Sequence, residues 1–282
     1  MGAMTAEPAA DRPRPRAGLR FRAVAKGVYA IWYRETRRFV RDRSRWLGLV
    51  TQPLLYLMLV GYGISSSMTF RRLPADSSIN YVTFMYPGIV GMSVLFTSIF
   101  SAVSIIWDRE FGFLKEVLVA PLPRWAAAAG KALGIMTIVA LQTAVLLAMS
   151  PLAHVPLGLW MALKTLGVAS LVGFVLGAFG IAVASRMTSF ESFQLIMNLV
   201  TMPMFFLSGA LYPLRGLPPW LNFLAHVDPL TYGVDALRNA IYADNEAARL
   251  LVQYPLVFDI GVLAAIAAVF AALAGWLFET QE

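Results

Sequence analysis

Residues able to do chemistry are scarce in this chain, and their spacing excludes most reaction classes. His154 and His226 stand alone, with no second histidine or acidic residue at metal-ligand spacing. Cysteine is absent, which removes thiol nucleophiles, cysteine metal sites and a disulfide framework. Asp228 and Asp235 are too far apart in sequence for the close acidic pairing that holds a magnesium–diphosphate. No Gly-x-Ser-x-Gly elbow occurs. The nearest approach to a nucleotide loop is AAAAGKA, ending at Gly130-Lys131-Ala132. It lacks the first glycine of a phosphate loop, and alanine replaces the Ser or Thr that would hold magnesium. The expectation is a chain without catalytic residues, a metal site or a cofactor of its own.

The elements that must position such residues are apolar. Of 282 residues, 59% are hydrophobic and 14% charged, whereas soluble domains carry about 25% charged residues. The net charge is +7. Twelve of the 23 Lys and Arg residues precede Trp46. A nucleic-acid-binding arm would suit that stretch alone, but not the hydrophobic mass behind it, so the lipid bilayer is the expected partner and nucleic acid is not. Residues 1–18, rich in Ala, Pro and Arg, read as a disordered cytoplasmic tail, with the first few as an expression remnant. No short apolar segment with a small-residue cleavage site follows them, so they are not a secretory signal.

A membrane helix needs about 20 mostly apolar residues. The charge-free intervals give six, with helical cores near 46–64, 83–106, 129–150, 160–184, 190–212 and 257–278. Pro151 and Pro156 end the third. Counting Lys and Arg in the connections gives seventeen on the side of the N-terminus and six on the other, which puts both termini in the cytoplasm. Lys164 and Asp259 lie near outer ends, while Gln142, Gln194 and Asn198 within the spans are neutral. A proton- or sodium-driven carrier would leave ionisable groups at mid-depth, so the energy for any transport is expected from elsewhere. Gly173, Gly177 and Gly180 give the fourth span a small-residue stripe for close helix packing.

Three further segments stand apart. Between 19 and 45, Phe21, Val24, Val28, Ile31, Trp32 and Phe39 recur at helical steps among arginines, predicting a basic amphipathic helix in the inner interface. From Tyr212 to Pro255 the chain is apolar yet broken by Pro213, Pro218, Pro219 and Pro229. Short helices dipping back into the outer leaflet would satisfy both facts, and a folded extracellular cap is the alternative. In the 107–131 connection, Phe111, Leu114, Leu118 and Val119 recur at helical spacing beside Lys115 and Glu116. That suits a short cytoplasmic helix able to dock into a partner's groove.

Two of these stretches resemble a known family. DREFGFLKEVLVAPLPRWAAAAGK is similar to the cytoplasmic loop of type-2 ABC exporter permeases, with its acidic-Arg-Glu-x-Gly opening and Pro-then-Gly-Lys close. FFLSGALYPLRGLPPWLNFLAHVDPLTYGVDALRNAIY resembles their fifth-span ending and re-entrant outer hairpin, nearest to daunorubicin-resistance-like drug and lipid exporters. The resemblance implies an all-α integral membrane protein, a single permease domain over 19–282 with six spans, an interfacial helix, a coupling helix between spans two and three and an outer hairpin between spans five and six. It implies a permease dimer, a homodimer in the simplest case, in a prokaryotic cytoplasmic membrane. Two separate ABC ATPase subunits would bind beneath and carry the ATP and magnesium.

By the same resemblance, Asp108, Arg109, Glu110, Phe111, Gly112, Phe113, Leu114, Lys115 and Leu118 belong to the ATPase-coupling segment. Glu110 is the expected ion-pairing residue near the inner gate, Gly112 a close-packing position, and Arg238 the arginine that closes the outer hairpin. Spans two and five line the path in relatives, which nominates Met92, Phe96, Phe100, Met202, Phe205 and Phe206. The expected substrate is a hydrophobic or amphiphilic drug or lipid, with a lipid-linked polysaccharide as the alternative. A membrane-embedded transferase is disfavoured by the missing paired acids.

Overall fold

The computed structural model describes residues 17–63, 81–110, 123–156, 158–242 and 251–279, and among these every regular element is a helix. Helix α1, Ala17–Arg41, is the amphipathic element, and it ends four residues before the expected boundary. The reason is Asp42, whose side chain accepts the backbone N–H groups of Ser44 and Arg45 at 3.2 and 3.4 Å and so starts a new helix. That helix, α2, runs over Arg43–Leu55 and contains the buried Pro53. A proline removes one helical hydrogen bond and crowds the preceding turn. The chain continues as a π-helical stretch, Tyr56–Tyr62, in place of a regular first span.

The second expected span is α3, Tyr81–Ser101, followed after a short turn by α4, Ser104–Glu110. Then come α5, Arg124–Ala148, a 3₁₀ turn at Ser150–Ala153, and α6, Leu159–Arg186. Helix α7 covers Phe190–Leu207, five residues short of its expected end. Gly209 stops it with φ of +73°, a left-handed conformation that a side chain would strain. Two short helices follow, α8 at Pro219–Val227 and α9 at Pro229–Ile241, and α10 at Leu256–Glu279 completes the chain.

Among the described residues, five helices are long and apolar enough to cross a membrane: Tyr81–Glu110, Trp125–Ala148, Leu159–Arg186, Phe190–Leu207 and Leu256–Leu277. The segment expected at 46–64 falls on α2 and its π-helical continuation, too interrupted to count with them.

Helix α6 is the hub, packing against α3, α5, α9 and α10. Its small residues set those approaches. A Cβ at Gly173 or Gly177 would sit 2.9 Å from Val139 or Ile135 of α5, and one at Gly180 would sit 3.1 Å from Ala102. Inside lipid no solvent drives helices together, so such close fit is the attractive term. Helix α9 is buried along nearly its whole length among α3, α6 and α10. Helices α7 and α10 leave most of their apolar surface outside, including Leu195, Leu199, Val257, Val269 and Trp276.

Candidate coupling site and cavity

Four charges from three helices meet at the end of the bundle where α1 lies. Lys131 of α5 is buried, and its Nζ donates to Asp108 Oδ2 at 2.6 Å, Ser104 Oγ at 3.0 Å and Glu35 Oε1 at 3.2 Å. Arg34 Nη2 of α1 donates to both Glu35 Oε1 and Asp108 Oδ2 at 2.7 Å. Two cations therefore face two carboxylates, with a hydroxyl filling the ammonium's third donor position. Burial alone would raise the Glu35 pKa, but Lys131 and Arg34 overcome that and hold it below the ordinary 4.5. Arg34 is correspondingly held charged, since its pairing with Asp108 and Glu35 outweighs its own desolvation.

The helices can bring these groups together because glycine clears the way. A Cβ at Gly130 would come 2.8 Å from Ile31 Cβ, and one at Gly134 would come 2.9 Å from Glu35 Cβ. The AAAAGKALG stretch is thus a packing seam for α1 with a lysine set inside it. Next to the cluster, Arg109 Nη1 and Nη2 donate to the carbonyls of Met187 and Ser185 at 2.7 and 2.8 Å. A guanidinium over the last carbonyls of α6 satisfies orphan acceptors and suits the negative end of the helix dipole.

The cluster joins the helices on either side of residues 111–122, since Asp108 lies in the last turn of α4 and Lys131 in the first turns of α5. Of the expected coupling residues, Asp108 is in the cluster, Arg109 caps α6, and Glu110 is exposed. Glu110 makes no ion pair among the described residues, whereas Asp108 pairs with both Arg34 and Lys131. Phe111, Gly112, Phe113, Leu114, Lys115 and Leu118 lie outside the described residues. Sequence reading passed over Arg34, Glu35, Ser104 and Lys131. The available signals were that Glu35 is the one acidic residue in α1 and that Lys131 follows an alanine run inside a span.

A cavity of about 370 Å³ lies against the cluster's flank, between α2, α3 and the start of α7. Phe39, Leu49, Pro53, Phe96, Phe100, Trp107 and Phe190 form its apolar walls, and Gln52, Thr97 and Gln142 add neutral polar groups. Among the described residues, Arg45 is the one charged side chain in its lining. Phe96 and Phe100 stack at 6.1 Å between ring centroids. Of the other expected pathway residues, Met92 is fully buried in the core and Phe205 is buried against Tyr56, whereas Met202 and Phe206 point outward from α7.

At the opposite end, Arg238 of α9 is buried, with Nη2 donating to Gly209 O at 3.1 Å and Nη1 to Leu251 O at 3.3 Å. Its guanidinium also lies 4.8 Å from the Phe84 ring centroid. Asp235 accepts backbone N–H groups from Gln253 and Tyr254 at 3.0 and 2.8 Å. These two side chains fasten the hairpin to the end of α7 and to the start of α10. Among the described residues no group of His, Asp and Glu could hold a metal ion. His226 Nδ1 donates to Asn222 O at 2.6 Å and its Nε2 pairs with Tyr254 Oη at 2.7 Å, a local tie between helix and loop.

The match to known proteins covers these same elements. The model of the ABC-2 type transporter family matches residues 26–242. A transport permease of Cyanophora paradoxa is 31% identical over 211 residues, covering 72% of this chain and 70% of that protein. The inner membrane transport permease YadH of Escherichia coli K12 is 27% identical over 242 residues, covering 83% and 87%. YbhR of the same strain, named as a multidrug ABC transporter permease, is 25% identical over 171 residues, covering 60% and 46%.

Proposed function

The chain belongs to the ABC-2 type transporter family, and from that premise we propose that it is the membrane subunit of an ATP-driven exporter. It is a permease and not an enzyme, as its relatives are, and the family implies a separate ATPase partner. In the proposed assembly two copies of the permease pair in the cytoplasmic membrane over two ATPase subunits. The α2 segment with its π-helical continuation serves as the sixth span, both termini are cytoplasmic, and α8 with α9 form a re-entrant outer hairpin. A hydrophobic or amphiphilic molecule, drug or lipid, moves outward.

The observation that carries this reading is the buried cluster of Arg34, Glu35, Asp108 and Lys131. A push on the 111–122 connection reaches α4, α5 and α1 together, because the ion pairs tie all three. Buried charges of this kind seldom add net stability over apolar packing, so their use as a mechanical joint is the better explanation. On this account the connection is the coupling helix, and Asp108, Arg109, Phe111, Leu114, Lys115 and Leu118 set its contact with the ATPase. Phe96, Phe100, Met202 and Phe206 are the proposed pathway surface.

The test is co-purification with the ABC ATPase subunit. Phe111→Asp with Leu114→Asp should abolish or greatly weaken assembly, while the permease still inserts. Unchanged assembly and unchanged hydrolysis would remove the coupling assignment.

A further inference from the structure

The cavity beside the charge cluster has a polarity that selects among amphiphiles. Ser93 and Trp107 mark its two ends along α3 and α4, about 20 Å apart at 1.5 Å per residue. It is therefore long and narrow rather than round, and its volume lies at the low end of the roughly 300–1,000 Å³ of small-molecule sites. Its middle is greasy, with Leu49, Pro53, Phe96 and Phe100 in the walls. The charged end is formed by Arg45 and by Trp107, whose ring carries the Arg38 guanidinium at 5.1 Å and that of Arg45 at 6.0 Å. Asp42 lies 3.2 Å from Arg45, and Arg38 has no carboxylate partner among the described residues. The Asp42–Arg45 pair is solvent-exposed and therefore weak, so a competing anion can take its place on Arg45. Gln142, a buried residue, adds a neutral amide to the lining.

We propose that this cavity takes an anionic amphiphile from the inner leaflet, its acidic head group on Arg45 and its apolar chain along Phe96 and Phe100. The inference rests on the permease reading above and narrows it to a substrate class. A cationic amphiphile meets the Arg45 guanidinium in the lining, and an uncharged head gains nothing from it. Guanidinium suits a phosphate or carboxylate head because its planar donors pair with two oxygens at once.

The experiment uses the full-length permease in detergent, titrated with three fluorescent probes sharing one tail: a phosphatidylglycerol, a phosphatidylcholine and a quaternary-ammonium amphiphile. The phosphatidylglycerol probe should bind about tenfold more tightly than the phosphatidylcholine, as one charge-assisted contact allows, and the ammonium probe most weakly. Arg45→Gln should erase the preference, and Arg45→Lys should keep most of it. Phe96→Ala with Phe100→Ala should weaken all three probes alike. Equal affinities for wild type, or a preference that survives Arg45→Gln, would overturn the inference. A parallel assay of ATP hydrolysis by the assembled complex separates the two readings. Selective binding with no stimulation by any probe would defeat export and leave the cavity assignment standing. Equal stimulation by all three probes would keep export and defeat the head-group selection.

Discussion

Lys131 has three polar partners and almost no contact with solvent, so removing it leaves two carboxylates to share Arg34. Lys131→Met should cost about 3–5 kcal/mol, the range for breaking a buried pair, read as a lower unfolding temperature of the purified permease. Combined with Glu35→Gln the loss should be smaller than the sum, because the second change removes one of the stranded charges. Acid tests the same cluster. The folded-state pKa of Glu35 is held below its ordinary 4.5, so its contribution is complete above the unfolded value and is lost as pH falls through the lower folded value. Thermal stability should therefore drop as pH falls below about 4.5, and Glu35→Gln should flatten that part of the profile. An unchanged profile would mean that the carboxylate is not carrying charge in the cluster. At this scale the sequence spoke only partly. The motif drew attention to Asp108 and Arg109, but the partners of Asp108 lie 74 and 23 positions away and those of Arg109 lie 78 and 76 away, separations that no local pattern encodes.

Helices α1 and α5 meet through Gly130 and Gly134, where an added methyl would collide with Ile31 and with the Glu35 stem. Gly134→Val should push α1 off the bundle, lowering both stability and ATPase coupling. Gly167→Ala is the matched control, since nothing lies within 4 Å of its Cβ position, and its better helix propensity makes it neutral or slightly stabilising. Thermal unfolding of the two variants side by side checks the seam. Five long apolar helices and the paired short helices were legible because charge-free runs and prolines are strong local signals. The break at Asp42 was not, since it depends on one carboxylate folding back onto two backbone N–H groups. The end of α7 was also misread, because Gly209 acts through a backbone angle rather than through hydropathy.

At the scale of the whole molecule, α7 keeps an apolar face that no other described residues cover, with Leu195, Leu199 and Phe206 outward. Lipid or a second copy must meet it, and the dimer reading assigns at least part of it to the copy. Because the chain has no cysteine, a single Leu199→Cys gives an unambiguous reporter. Mild oxidation in the membrane should yield a disulfide-linked dimer, and persistent monomer would place that face against lipid. The membrane character was legible from composition alone, whereas the cargo was not, because one chain does not show which faces line a shared path.

We propose that the buried charge cluster joins the loop that meets an ATPase to the helices that move the cargo. ATP hydrolysis by the permease–ATPase complex in lipid nanodiscs, with wild type and Lys131→Met compared at equal assembly, tests this joint. The variant should still bind its ATPase, but stimulation by amphiphile should fall several-fold. Full stimulation in the Lys131→Met complex, or a wild-type chain that recruits no ABC ATPase, would contradict it.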